Sequence, residues 1–198
     1  MELYHGTTQI IREIDLTKGR HRTDFGQGFY LGSNLDVAQR WAKSRAAFSG
    51  KPTVMKYTLN DDIFLDEKAN PLVFNQPTSE WLNFVRDNRR KDKPNSQLRH
   101  THGIVQGSIA NDKVNFVVED YINKKITADE AISRVKALPN VQQLSLHTSY
   151  ALTYLDTDIV WYQEMLPNGE WSEWISLSDC FYHATKGVST WTQINPKA

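Results

Sequence analysis

The sequence has almost no cysteine and no long hydrophobic segment. Cys180 is the single cysteine among 198 residues, so no internal disulfide can form. No apolar run approaches the roughly 20 residues that a membrane-spanning helix needs. The start, MELYHGTTQI, lacks the basic and apolar regions of a secretory signal. We therefore expect a cytoplasmic protein without a membrane partner.

An excess of charge of either sign is also missing. The 23 Lys and Arg residues balance the 23 Asp and Glu residues, so no global field attracts nucleic acid. A phosphate-contacting surface would need a local patch, and the alternative interpretation of such a patch is a solvated helix end and loop. The basic residues that form this candidate patch are Lys18, Arg20, Arg22, Arg86, Arg89, Arg90, Lys91 and Lys93.

Histidines and cysteines at the spacing of metal ligands are likewise absent. His21, His100 and His102 lie in polar stretches and have no Cys or His partners at metal-ligand spacing. The sequence therefore predicts no metal site.

Hydrophobic periodicity predicts alternating short strands and helices in one domain-sized chain. Strands are expected at 2–8, 29–32, 53–59 with a continuation through 61–66, about 103–108 and 143–148, and as a pair around the turn at 167–169. Helices are expected after a cap at Ser33 or Asn34, at 79–90, 114–123 and 127–138, and from Thr148 or Ser149 to Leu155. The first helix has an apolar face formed by Leu35, Ala38, Trp41, Ala42 and Ala46.

Chemistry is first indicated where the N-terminal strand ends. There Tyr4-His5-Gly6-Thr7 combines a glycine, which allows a ligand to approach the backbone, with two polar side chains. Taken alone, such a histidine is more often a satisfied core or turn residue than a ligand-binding one. The second indication is the glycine-rich segment Asp24-Phe-Gly-Gln-Gly-Phe-Tyr30, which leads into an aromatic strand and then into the helix with Trp41.

Together these motifs resemble the ADP-ribosyltransferase superfamily, specifically its poly(ADP-ribose) polymerase-like branch. In that branch one strand ends in His-Gly-Ser/Thr, a later strand carries Gly-x-Gly-Ile/Phe-Tyr, and a second aromatic follows eleven residues after this tyrosine, where Trp41 stands here. The whole chain also resembles a small bacterial ADP-ribosyltransferase-like family of unassigned function, through LYHG, DFGQGFY, GSIANDK and VQQLSLHT in that order.

The resemblance implies an α+β fold with a split β-sheet, in which two facing, mainly antiparallel sheets form a cleft with helices around them. It covers about residues 2–155, so we expect a domain at 1–156. A β-rich extension at 157–198 would pack on the same domain. Four tryptophans of this extension suit either packing or a recognition surface: Trp161, Trp171, Trp174 and Trp191.

The resemblance also implies roles for individual residues. His5 would bond the adenosine ribose, the Gly6 backbone would hold the nicotinamide carboxamide with help from the Thr7 hydroxyl, and Tyr30 and Trp41 would stack on the nicotinamide ring. A primary amide has donors and an acceptor that one glycine's backbone can satisfy, and Gly6 is expected to be glycine because a side chain would block that approach. The implied NAD-binding residues are His5, Gly6, Thr7, Asp24, Gly28, Tyr30, Trp41 and Asp112.

The third catalytic position, after His5 and Tyr30, is expected at Gln143. The most active relatives have a Glu there, whereas an uncharged Gln stabilises a cationic transition state less. The sequence thus predicts slow transfer of single ADP-ribose units. Asp24 and Asp112 are alternative acids for the cleft, although turn aspartates more often satisfy their own backbone.

The expected function is a mono-ADP-ribosyltransferase that uses NAD as co-substrate, requires no metal and modifies a protein or nucleic-acid acceptor. The resemblance also implies a toxin or phage-defence effector, with an antitoxin or inhibitor protein as a candidate partner. Two alternatives stay open: a catalytically weak NAD or ADP-ribose-binding module, and an enzyme similar to RNA 2′-phosphotransferases.

Overall fold

The structure, a computed structural model, describes residues 1–89, 100–108, 112–137 and 141–178. These ranges contain eight strands: β1 (Glu2–Thr7), β2 (Phe29–Gly32), β3 (Thr53–Leu59), β4 (Pro71–Val73), β5 (Ile104–Ser108), β6 (Gln142–Leu146), β7 (Leu155–Glu164) and β8 (Ile175–Ser176). They also contain five α-helices: α1 (Leu35–Ala46), α2 (Ser79–Arg89), α3 (Asp112–Ile122), α4 (Ala128–Lys136) and α5 (Ser149–Leu152).

All eight strands belong to one hydrogen-bonded sheet in the order β4-β5-β6-β2-β1-β3-β7-β8. Pairing is antiparallel except between β4 and β5, which α2 connects as a parallel crossover. The expected α+β class and mainly antiparallel pairing are therefore confirmed. Hydrogen bonding joins the strands into one ladder rather than two separate ones.

The junction of β1 and β2, called the seam below, has the fewest paired residues of any two neighbouring strands in this sheet. β1 pairs with β3 at six successive positions, whereas its pairing with β2 consists of Tyr4 opposite Gly32. Among the described residues, Tyr4 is the one residue of β1 that pairs with β2. The two strands therefore separate at His5, and the candidate site lies at this seam.

Helices cover one sheet face in two groups and leave a gap between them. Helices α2, α3 and α4 pack over the β5 side through Trp81, Val118 and Ala131, whereas α1 packs over β1 and β3. The face of β2 and β6 lies between these groups. The opposite face forms the largest core cluster, which contains Tyr57 and Leu146.

Local capping explains where the helices begin. The Asn34 side chain accepts the Val37 N–H to begin α1, and the Thr127 side chain accepts the Glu130 N–H to begin α4. These caps confirm both predicted starts. The Glu130 carboxylate binds Arg134, one turn along α4, so only the Thr127 half of the predicted capping box is observed.

One local prediction was wrong. The segment after β3 is a 3-10 helix (Asp61–Phe64) and not a continuation of the strand, because the Asn60 side chain caps the Asp62 N–H. On the apolar face of α1, Ala38 and Ala42 are buried, whereas Trp41 is 40% exposed. β4 was not predicted, because three residues that begin with proline carry no periodic signal.

The sheet continues across the expected domain boundary at residues 156 and 157. β7 crosses that position and pairs along β3, and β8 then pairs with β7. Trp161, Trp171 and Trp174 are half-buried, whereas Trp191 and Cys180 lie outside the described residues. No helix within the described ranges is both long and apolar enough to cross a membrane.

Candidate functional site

A cleft of about 1920 Å³ opens over the seam between β1 and β2. This volume exceeds the roughly 300–1,000 Å³ of sites for drug-sized molecules, so it suits an extended ligand. The cleft brings together residues from all but one of the sequence blocks singled out above. Its lining includes His5, Gly6, Thr7, Asp24, Gly28, Tyr30, Trp41 and Gln143. Asp112 begins α3, but its side chain lies outside the described residues.

The half-buried ring of His5 fills the gap where β1 leaves β2. Its Nδ1 donates to the Tyr30 carbonyl at 2.6 Å, and the ring stacks on Phe29 with centroids 4.6 Å apart. Burial lowers the pKa of His5, so the ring is neutral near pH 7. A neutral ring that donates through Nδ1 leaves Nε2 as an acceptor, and Nε2 has no partner within the described residues. Nε2 of His5 can therefore accept a hydrogen bond from a hydroxyl group of a ligand.

Gly6 is a glycine for a different reason from the expected one. A Cβ at Gly6 would lie 2.2 Å from the Ala38 carbonyl oxygen and 3.1 Å from the Ala42 nitrogen. The side-chain direction of Gly6 is thus filled by the backbone of α1 and does not point into open space. What remains accessible to a ligand is the backbone edge of Gly6 and Thr7 on the β2 side.

Tyr30 anchors the glycine-rich loop at 23–28 through its hydroxyl group. The oxygen accepts the Phe25 N–H at 2.9 Å, donates to the Gly26 carbonyl at 2.8 Å and lies 2.8 Å from Thr23 Oγ1. Burial raises the pKa of Tyr30, so the phenol stays protonated at neutral pH. The orientation of the ring in the cleft wall is therefore fixed by the loop.

Histidines hold the same loop from the other side. His147 Nδ1 donates to the Gln27 carbonyl at 2.9 Å, while Nε2 lies 2.7 Å from Ser145 Oγ. His100 Nε2 donates to the Phe25 carbonyl at 2.8 Å. Burial lowers the pKa of His147 to about 3, consistent with a neutral structural ring.

The described residues contain no group of three or more His, Cys, Asp or Glu that could hold a metal ion.

Gln143 and Asp24 form a buried polar pair, although 119 residues separate them. Gln143 Nε2 donates to Asp24 Oδ2 at 2.7 Å. A carboxylate only accepts hydrogen bonds, so this bond fixes the amide orientation and leaves Oε1 for another donor. Within the described residues Oε1 has no partner. Oε1 of Gln143 can thus accept a hydrogen bond from a hydroxyl group of a ligand in the cleft.

Asp24 neither satisfies only its own turn nor stands as a free acid. Its Oδ1 accepts Arg89 Nε at 2.9 Å, and Arg89 also donates to Asn115 Oδ1 at 2.6 Å. The network joins β6, the glycine-rich loop, α2 and α3. Arg89 therefore has a structural partner and is not a solvated helix end. Arg86 pairs with Asp87, and Arg90, Lys91 and Lys93 lie outside the described residues.

The cleft lining has more basic than acidic side chains. It contains eight Lys and Arg residues against four Asp and Glu residues. Lys18, Arg20 and Arg22, from the proposed basic patch, all contribute to it. Because overall charge is balanced, this excess is local and favours an anionic ligand.

Arg45 and Phe116 are among the site residues that sequence reasoning missed. Arg45 lies one turn after Trp41 on the same side of α1, so assigning Trp41 to the cleft was the signal that could have found it. Phe116, on α3, lines the opposite rim and is 70% exposed. No sequence pattern indicated Phe116, because it faces away from the apolar side of its helix.

A family model described as a protein of unknown function (DUF3990) matches residues 1–157. No curated protein and no solved structure matches the chain. The matched range contains every cleft residue named above, from His5 to Gln143. The chain belongs to the DUF3990 family.

Proposed function

We propose that this protein binds NAD in the cleft and transfers ADP-ribose from it to a protein or nucleic-acid acceptor. The observation that carries the proposal is convergence at one seam. His5, Tyr30 and Gln143 come from three strands, and all line the same cleft, where β1 and β2 separate. This opening is the feature we equate with the split of an ADP-ribosyltransferase sheet, and the resemblance supplies the reaction.

The nicotinamide end of NAD would lie at the seam. The free backbone edge at Gly6 would bond the carboxamide, and Tyr30 and Trp41 would contact the ring. In the reaction the bond between nicotinamide and ribose breaks, and its electron pair neutralises the charged ring nitrogen. The acceptor's lone pair then forms the new bond to the same ribose carbon, and the acceptor loses a proton to solvent.

Gln143 would orient the reacting ribose rather than stabilise it by charge. Its Oε1 would accept a ribose hydroxyl, while Asp24 holds the other end of the amide at 2.7 Å. A neutral amide stabilises a cationic transition state less than a carboxylate does. The rate enhancement would therefore come mainly from the orientation of the bound groups. We expect slow addition of single ADP-ribose units.

His5 offers the cleanest test, since Tyr30 also anchors the loop. We expect His5→Ala to abolish nicotinamide release from NAD while the protein stays folded. His102→Ala is the matched control, because His102 also donates through Nδ1 to a backbone carbonyl, that of Asn70 at 3.0 Å, but lies outside the cleft lining. Release would be followed by chromatography, and folding by circular dichroism.

The outcomes separate the proposal from its rivals. Equal nicotinamide release by His5→Ala and wild type would refute the site. NAD binding without any release would favour the binding module, which the uncharged amide at Gln143 makes a specific candidate. A second candidate is an enzyme similar to RNA 2′-phosphotransferases, favoured by the arginines in the cleft. Nicotinamide release that requires 2′-phosphorylated RNA would support it.

A further inference from the structure

Two arginines face the cleft without an acidic partner. Arg20 lies in the loop between β1 and β2, and Arg45 lies in the last turn of α1. Both line the cleft and both are exposed to it. In the described part of the chain, neither guanidinium has a hydrogen bond or an ion pair with a carboxylate.

Three other cleft cations have an acidic neighbour. Arg89 binds Asp24, Arg86 binds Asp87, and Lys18 lies 3.9 Å from Asp15. Arg20 and Arg45 differ from these three, because within the described residues neither guanidinium has a hydrogen bond or an ion pair. Their donors are therefore available to a ligand.

Arg20, Arg45 and His5 line the same cleft, and the charge of Arg45 acts on the other two. Burial and the positive charge of Arg45 lower the pKa of Arg20, although the charge of Asp24 opposes this shift. The charge of Arg45 also adds to burial in lowering the pKa of His5. Two like charges held near each other repel, and an anion between them would relieve that repulsion.

We infer that Arg20 and Arg45 together bind a phosphate group, next to the free Nε2 of His5. Each guanidinium presents a planar set of donors that matches phosphate oxygens. The phosphate belongs either to the diphosphate of a dinucleotide or to a nucleic-acid backbone. The first source rests on the proposed function, in which His5 bonds the adenosine ribose beside that diphosphate.

Calorimetric titration with ADP, adenosine and a short single-stranded oligonucleotide tests the site without any turnover. The variant is the double substitution Arg20→Gln and Arg45→Gln. Arg40→Gln is the matched control for a single charge, since Arg40 lies on the same helix α1 but outside the cleft lining. Thermal unfolding confirms that each variant is folded.

We expect ADP to bind wild type more tightly than adenosine does. Each arginine should account for roughly tenfold in ADP affinity, which corresponds to about 1.4 kcal/mol, because its hydrogen bonds go to a charged phosphate group. The double variant should therefore lose on the order of 100-fold, and Arg40→Gln should match wild type. Loss of oligonucleotide affinity with unchanged ADP affinity would assign the site to a nucleic-acid backbone.

The inference is overturned if ADP and the oligonucleotide bind the double variant as tightly as wild type, or if wild type binds neither. Its failure is distinguishable from failure of the proposed function. Lower ADP affinity in the double variant, together with no nicotinamide release by wild type, would retain the phosphate site and reject transfer. If both proteins bound ADP and the oligonucleotide equally and released nicotinamide equally, the phosphate site would be rejected and transfer retained.

Discussion

Removal of the Asp24 carboxylate tests how the floor of the cleft is held together. Asp24 is 8% exposed and accepts hydrogen bonds from Arg89 and from Gln143. Asp24→Ala deletes the hydrogen bonds to both partners at once. It leaves the Arg89 guanidinium, whose side chain is 15% exposed, without a counter-charge and the Gln143 amide without its acceptor.

The expected cost follows from what remains after the substitution. Breaking a buried ion pair by removing one partner costs about 3–5 kcal/mol. Arg89 keeps its bond to Asn115 at 2.6 Å, so we expect the lower end of that range. A loss of about 3 kcal/mol corresponds to a fall of roughly 6–12 °C in the unfolding midpoint for a chain of this size.

The matched control is an ion pair at the surface. Arg134 and Glu130 form a pair on α4 whose side chains are 50% and 47% exposed. Glu130→Ala should cost about 0–1 kcal/mol, because water screens an exposed pair. Thermal and urea unfolding of both variants provide the comparison. If Asp24→Ala lost no more stability than Glu130→Ala, the network would not hold the cleft floor.

Two further predictions concern close packing and pH. Gly6→Ala should lower the free energy of unfolding by about 1–3 kcal/mol in urea unfolding. Gly32→Ala is the control, because its Cβ would lie 3.9 Å from its nearest neighbour and should leave α1 undisturbed. Equal losses of stability in the two variants would contradict the argument. His147 has a pKa of about 3 when folded against 6.5 for an ordinary histidine, so the unfolded chain takes up a proton first as pH falls. Stability present above pH 6.5 should therefore be lost towards pH 3, at up to about 1.4 kcal/mol per pH unit. His147→Gln should lose less between pH 7 and pH 5, and an unchanged slope would reject His147 as the cause.

Local signals account for the parts of the fold that the sequence predicts. The start of α1 follows from Asn34, and that of α4 from Thr127, because a cap acts within three residues. The strands around Tyr30 and Gln143 were located by their apolar pattern. The order of strands in the sheet was not, because the pairing of β2 with β6 joins residues more than 100 positions apart.

The same limit applies to the candidate site. Sequence motifs located His5, Tyr30 and Gln143 individually, and a helical repeat would have added Arg45 after Trp41. No local pattern could show that Asp24 bonds Gln143, since that contact exists only after β6 has paired with β2. The partner of a buried charge is a tertiary property, and for that reason Asp24 could only be an open alternative.

The glycine-rich loop shows why a motif alone cannot assign a role. Three consecutive carbonyls, those of Phe25, Gly26 and Gln27, are bound by His100, Tyr30 and His147 from three separate parts of the chain. The hydroxyl of Tyr30 therefore has a structural task whether or not its ring touches a ligand. His5 differs, because its Nδ1 supports the seam while its Nε2 has no partner in the described chain. A ligand role for the motif thus depends on His5 more than on Tyr30.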